Sequence, residues 1–182
     1  GTSSRVFAQI ATQMGNTDYR GKIIWFLMTA RPDLLPIDIK RQGRAEVHIA
    51  LFYPQTEDEK KEMFVIMGKK NGVDIKPEDV PTVGAMKLSG ADIEGVVTRA
   101  RRLALLAESD GVGAAHMKLA LEGFIPSAQG AEKRMQELAA IVECTEAEML
   151  PPDVLAKIRS AEGKADLMHE LQAIKNRLAA HA

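Results

Sequence analysis

Cysteine is nearly absent from this 182-residue chain: Cys144 stands alone, so no internal disulfide framework is available and a reducing, cytoplasmic setting is expected. Charge of one sign is missing too. The 24 Lys and Arg nearly balance the 25 Asp and Glu for a formal net charge of -1, which excludes a global field drawing the chain to nucleic acid or to an anionic membrane. Any basic site has to be local. Long apolar runs are also lacking. The longest, Ile23 to Met28, falls far short of the ~20 residues that span a bilayer, and no charged-then-apolar leader precedes it, so no membrane partner and no secretion are expected. There is no internal repeat and no low-complexity segment. The chain begins at Gly1 inside an amphipathic stretch without an initiator methionine, which predicts a fragment.

Spacing argues against several chemistries. His48, His116, His169 and His181 lie far apart, and none has a second ligand at i+3 or i+4, so no metal site is expected. Cys144 has no nearby cation and falls on a helical pattern, as an inert thiol does. "GNTDYRGKI", from Gly15 to Ile23, superficially resembles a phosphate loop. It has five residues between its glycines where four are required, Ile23 in place of the Ser/Thr magnesium ligand, and a position before its strand where a phosphate loop follows one. It is rejected, and no other segment offers an amide nest for a triphosphate.

What is present is a 46% hydrophobic composition, enough for a core in one medium domain or two small ones. "SSRVFAQIATQMG" places Val6, Phe7, Ile10 and Met14 at helical spacing, with Ser3 or Ser4 as N-cap and Gly15 as stop. "KIIWFLM" reads as a strand covered on both faces, and "EVHIALF", closed by Pro54, as a second strand. Between them "PIDIKR" predicts a short helix with proline in its first turn, ended by Gly43. After Pro54 the pattern is helical. Thr56 to Glu59 has capping-box spacing and opens a helix with Met63, Phe64, Ile66 and Met67 inward, ending near Asn71-Gly72. Ser89 to Asp92 opens a longer one, with Ile93, Val96, Val97, Ala100 and Ala104 on one stripe and Arg99, Arg101 and Arg102 largely off it. A shorter helix spans about Gly113 to Phe124. In the tail, Met135, Leu138, Ala139 and Val142, then Leu167, Leu171, Ile174 and Leu178, predict a helical hairpin or a coiled-coil-like face.

One stretch combines cations with a turn: "TARPDLLPIDIKRQGR", where Arg41 and Arg44 flank Gly43. A basic turn read alone is a solvated surface feature. In its surroundings, however, this stretch resembles the second region of homology of the AAA+ ATPases, T-N-R-P-D-x-L-D-x-A-x-x-R-x-G-R, with Thr29, Arg31, Pro32, Asp33, Leu35, Arg41, Gly43 and Arg44 in register. "LSGADIEGVVTRARRLAL" resembles the start of the long lid helix in the same family. Together the blocks cover about residues 1–125.

The resemblance implies a mainly α fold with a small β part. Residues 1–54 would be the C-terminal part of an α/β/α core with two strands, 55–126 an α-helical lid, and 127–182 a helical extension that matches no pattern. It implies that Arg41 and Arg44 are trans-acting fingers reaching the γ-phosphate bound by a neighbouring copy, where a planar, permanently charged guanidinium stabilises the departing phosphoryl group. It implies that Gly90 and Ala91 approach the adenine and ribose, alongside helix capping by Ser89 and Asp92. Three departures accompany it. The polar sensor residue after Thr29 is Ala30, so Thr29 is the substitute or hydrolysis is slow. The base-contacting histidine position falls near Met67, making that contact apolar. The phosphate loop and magnesium motif are missing from 1–182. ATP with Mg2+ is therefore expected in a full-length parent and neither in this chain alone, which should not hydrolyse ATP. The partners implied are other copies of the chain in a homo-oligomeric ring and a macromolecular client, with protein favoured. Nucleic acid rests only on Arg99, Arg101 and Arg102. A non-catalytic helical interaction module derived from such an ATPase is the alternative. In the family's sheet the two strands are not neighbours, so alone they would leave backbone groups unpaired at about 1–3 kcal/mol for each buried group.

Overall fold

The computed structural model describes residues 2–126 and 130–180, leaving out the side chains of residues 2–4. Its contacts divide the chain into two compact units. One joins the N-terminal segment up to Leu51 with the C-terminal segment from Gly130, and the other takes the stretch between, starting at Phe52.

The second unit forms where local signals are strongest. Helix α3 (Glu57–Lys70) starts in a capping box in which Thr56 Oγ1 accepts the Glu59 N–H at 3.1 Å and the Glu59 carboxylate accepts the Thr56 N–H at 3.1 Å. Helix α4 (Gly90–Leu106) repeats the device with Ser89 and Asp92. The expected stripe of Ile93, Val96, Val97 and Ala100 is fully buried in one core with Phe64 of α3 and with Met117 and Ala120 of α5 (Ala114–Glu122). Full burial contributes about 1.5–3 kcal/mol for each large aliphatic or aromatic side chain. Val73, Ile75, Val80, Val83 and Leu88 of the α3–α4 connection close this core. Ile66, expected inward, is exposed, because the face of α3 that meets α4 is centred on Phe64 and Gly68. Lys60 is buried, yet its Nζ donates to the Gly84 carbonyl and lies 3.3 Å from a Glu57 oxygen, and the same carboxylate accepts the Val83 and Gly84 N–H groups at 2.9 and 2.8 Å.

In the first unit, α6 (Ala131–Glu143) and α8 (Ala161–Ala180) pack through the predicted apolar faces: Met135, Leu138 and Ala139 against Leu167, Leu171 and Ile174, all buried. Ile141 joins them, while Val142 and Leu178 are only half-buried. Arg134 ties the pair by donating from Nε and Nη2 to the Glu170 carboxylate at 2.7 and 2.9 Å. An unanticipated helix α7 (Pro152–Arg159), started by prolines at its N-cap and first position, lies against α8. Helix α1 (Thr2–Met14) contacts the one-turn helix α2 (Ile37–Lys40). Met14 and Ala11 are buried, but Val6 and Phe7 are exposed, so α1 uses only its C-terminal half. Ser3 and Ser4 fall inside α1 and not before it, and their side chains lie outside the described residues.

The two expected strands are absent among the described residues, which are helical wherever they are regular. Among the described residues no backbone–backbone hydrogen bond involves Ile24 to Met28. The side chains nevertheless alternate: Ile24, Phe26 and Met28 are 81, 81 and 92% exposed, whereas Ile23, Trp25 and Leu27 are 44, 41 and 41% exposed. Between 47 and 51 the pattern repeats, with Val47, Ile49 and Leu51 exposed and Ala50 buried. A period of two is the signature of extended backbone; every side chain from Ile23 to Met28 is nevertheless exposed, so the expected covering of this run on both faces is not found. Both segments thus keep the strand's alternation without its ladder, because a strand exists only through hydrogen bonds to a neighbour.

Exposed apolar rows of this kind promote association. Phe26→Lys is expected to reduce binding of a hydrophobic dye and self-association of 1–182, while thermal unfolding stays within about 0.5 kcal/mol of wild type. A large loss of stability would show that Phe26 belongs to the core of this chain.

Candidate functional site

The segment carrying the candidate residues is held from behind by the C-terminal helices. Thr29 is exposed, and its Oγ1 accepts the Arg31 N–H at 3.0 Å, fixing the entry to a 3-10 turn at Pro32–Leu34. Arg31 donates to both Asp33 carboxylate oxygens, Nε at 2.9 Å and Nη2 at 3.0 Å. Lys175 of α8 reaches the same carboxylate at 2.6 Å, and the Asp33 side chain is only 6% exposed. Helix α6 packs on this turn. Lys40, the last residue of α2, donates to Glu143 at the end of α6 at 2.8 Å. His48 completes the attachment. Its Nδ1 lies 2.8 Å from the Glu143 carbonyl oxygen and its Nε2 2.8 Å from that of Ala45, while its main chain exchanges bonds with Thr145. With a carbonyl oxygen 2.8 Å from each nitrogen, neither side of the ring is open to a metal. Among the described residues no group of three His, Cys, Asp or Glu side chains is placed to hold one, and His181 lies outside those residues.

Beyond α2 the chain makes the basic corner. The helix ends at Lys40, three residues before the expected stop, and Gly43 serves the following turn at φ +80°, a conformation that a Cβ disfavours. The Glu46 carboxylate accepts the Gly43 N–H at 2.6 Å, and the Ala45 N–H donates to the Ile39 carbonyl at 3.0 Å. At this corner the two arginines take different positions. Arg41 projects, with a side chain 68% exposed and, among the described residues, only an exposed Asp38 carboxylate at 3.3 Å as partner. Such a pair contributes about 0–1 kcal/mol and yields easily to a better anion. Arg44 is half-buried and donates from Nη1 to the Asp38 carbonyl at 2.6 Å.

Met67, Gly90 and Ala91 belong to the other unit. A Cβ on Gly90 would stand 3.3 Å from Met67 Cε, so the thioether methyl packs on the bare first residue of α4, and Ala91 beside it is exposed. The basic run on α4 is largely engaged: Arg99 donates to the Gly123 carbonyl behind α5, and Arg101 to the Asn71 carbonyl behind α3 at 3.2 Å. Cations at helix C-termini complete the last carbonyls and oppose the dipole. Arg102 is exposed. Cys144 is half-buried, with its thiol donating to the Glu146 carbonyl.

Sequence reasoning missed the clamps Asp33–Lys175 and Lys40–Glu143, whose partners sit at opposite ends of the chain with no local pattern to announce them.

The vesicular-fusion protein SEC18 of Candida albicans is 30% identical over 139 residues, 69% of this chain and 17% of that protein. The ATP-dependent zinc metalloprotease FtsH of Pelobacter propionicus is 29% identical over 130 residues, 70% of this chain and 20% of that protein. The proteasome-activating nucleotidase of Methanococcus vannielii is 34% identical over 103 residues, 56% of this chain and 25% of that protein. No family model matches the chain, and no solved structure matches it significantly. All three relatives are AAA+ ATPases, and the chain belongs to that family. It spans a quarter or less of the length of these relatives.

The bidentate bond from Arg31, with the bond from Lys175 added, holds the Asp33 carboxyl well below the ordinary carboxylate range against the opposing effect of burial. A carboxylate depressed in the native state contributes its full stabilisation above its unfolded value, about 3.9, and loses it as pH falls below that. Lys175→Met should therefore lower the stability of the unit carrying α8 by about 1.5–3 kcal/mol at pH 7 in urea titrations, with the gap to wild type narrowing below about pH 4. A gap that stays constant through acid would mean that Lys175 acts through packing alone.

Proposed function

We propose that this chain is the arginine-bearing and lid-bearing part of an AAA+ ATPase that works as a homo-oligomeric ring, with ATP and Mg2+ bound by the full-length protein. The observation that carries this reading is Arg41: an exposed guanidinium at a glycine turn, fixed from behind through α2 and restrained in front, among the described residues, by a surface ion pair alone. It is free to exchange Asp38 for a phosphate presented by a neighbouring copy, where charge spreads over the γ-phosphoryl oxygens during transfer. Arg44 serves the same phosphate from a more enclosed position, having one of its five N–H donors on Asp38. Thr29 takes the place of the polar sensor that Ala30 lacks.

The 55–126 segment is the nucleotide-covering lid in this reading. Gly90 and Ala91 keep the first turn of α4 bare so that its N–H groups face the nucleotide, and Met67 offers an apolar contact to the base. The extended segments 23–28 and 47–52 belong to an α/β layer completed by strands outside 1–182, a placement supported by their period-two exposure. The names of the relatives refer to vesicle fusion, a metalloprotease and proteasome activation. A protein client remodelled in the cytoplasm is the corresponding proposal here. With Arg99 and Arg101 engaged at helix ends, a nucleic-acid client has little on which to rest.

The test is Arg41→Ala in the full-length protein, mixed with wild-type copies and assayed for ATP hydrolysis. Turnover at wild-type sites adjoining a variant copy is expected to fall on the order of a thousandfold, as when a finger is withdrawn. Unchanged turnover per wild-type site would exclude a trans-acting role.

A further inference from the structure

The segment rejected as a phosphate loop surrounds the basic corner on two sides. Gly15 lies against Arg44: a Cβ there would stand 3.2 Å from Arg44 Nε, so glycine leaves the space that the guanidinium stem occupies. Arg20 lies over Gly43, its Nη2 3.5 Å from where a Cβ of that glycine would be. The backbone of Arg20 is set by a 3-10 turn at Thr17–Tyr19, capped by the Asn16 side chain and closed by the Arg20 N–H donating to the Thr17 carbonyl. Three guanidinium groups from two separate segments thus gather around one turn. Of the carboxylates at this turn, Asp38 is paired with Arg41, and Glu46 accepts the Gly43 N–H. Arg20 is exposed and has no carboxylate partner among the described residues.

We infer that Arg20 is a third anion-binding guanidinium of this corner, acting with Arg41 on the terminal phosphate group of a polyphosphate. The inference rests on the reading of the corner as phosphate-facing and adds a residue that the family pattern does not mark. The geometry favours such a role over a solvated surface charge. Like charges separate when nothing holds them, yet here the fold brings a preset backbone turn and a side-chain-free glycine together so that the Arg20 guanidinium lies over the residue between Arg41 and Arg44. A tetrahedral phosphate has oxygens to spare for guanidinium groups arriving from different directions.

The test uses 1–182 and tripolyphosphate without magnesium, followed by the arginine Nε–H resonances and by calorimetry at fixed ionic strength. Weak saturable binding is expected, with shifts at Arg20 and Arg41. Arg20→Ala should weaken it roughly tenfold and Arg20→Lys only in part, while Arg102→Ala, which removes an exposed cation from the other unit, should leave it unchanged. Affinity for Arg20→Ala within twofold of wild type, an equal loss for Arg102→Ala, or no saturable binding by wild type would overturn the inference. Arg41→Ala separates the two proposals. If it weakens binding while Arg20→Ala does not, the finger reading stands and the role of Arg20 falls. If only Arg20→Ala weakens binding, the anion site stands without Arg41.

Discussion

The buried carboxylate of Asp33 is the point on which the first unit depends. Two cations from opposite ends of the chain meet on it, Arg31 from the same turn and Lys175 from α8, and neither oxygen is left without a partner. A carboxylate this well covered is costly to bury alone, so the turn at Pro32–Leu34 and helix α8 are stable in this arrangement only together. Lys40–Glu143 and His48 extend the same attachment toward the corner. Rigidity behind the corner gives the exposed Arg41 a defined starting position, and a preorganised cation loses less on binding than a mobile one.

The corner divides labour among chemically identical groups by their surroundings. Arg44 closes onto the Asp38 carbonyl and the bare Gly15, whereas Arg41, three residues earlier, makes a solvent-exposed ion pair. The difference arises from the turn at Gly43, whose positive φ sends the chain away before Arg44. In the other unit the basic run of α4 divides similarly, Arg99 and Arg101 completing helix ends and Arg102 remaining in solvent. A count of cations does not predict which ones are free.

What could be read from the sequence was local. The capping boxes at Thr56 and Ser89 act within four residues, and the α4 stripe repeats within one helix, so both were legible. The faces of α6 and α8 were legible for the same reason. Strand pairing is not local: "EVHIALF" alternates as read, but "KIIWFLM", read as covered on both faces, is exposed along its length, because both the ladder and the covering layers need partners, and among the described residues there are no strands. The helix at 152–159 was missed because its apolar pattern is short, and Ile66 was misplaced because two inward faces fit the spacing of α3. For the candidate residues, the sequence supplied the pattern but not the postures of the side chains. The enclosed position of Arg44 draws on the bare Gly15, about thirty positions away in sequence, and the clamp on Asp33 on a lysine near the far end of the chain.

The central claim is that this corner meets a triphosphate held by another copy. The most direct measurement is photo-crosslinking with an ATP analogue carrying its reactive group on the γ-phosphate, in mixed full-length assemblies where the copies able to bind nucleotide and the copies able to be recovered are different. The account predicts label on the peptide spanning 41–46 of the copies that bind no nucleotide themselves. Label confined to the nucleotide-binding copies, or no label on that peptide in either, would contradict it.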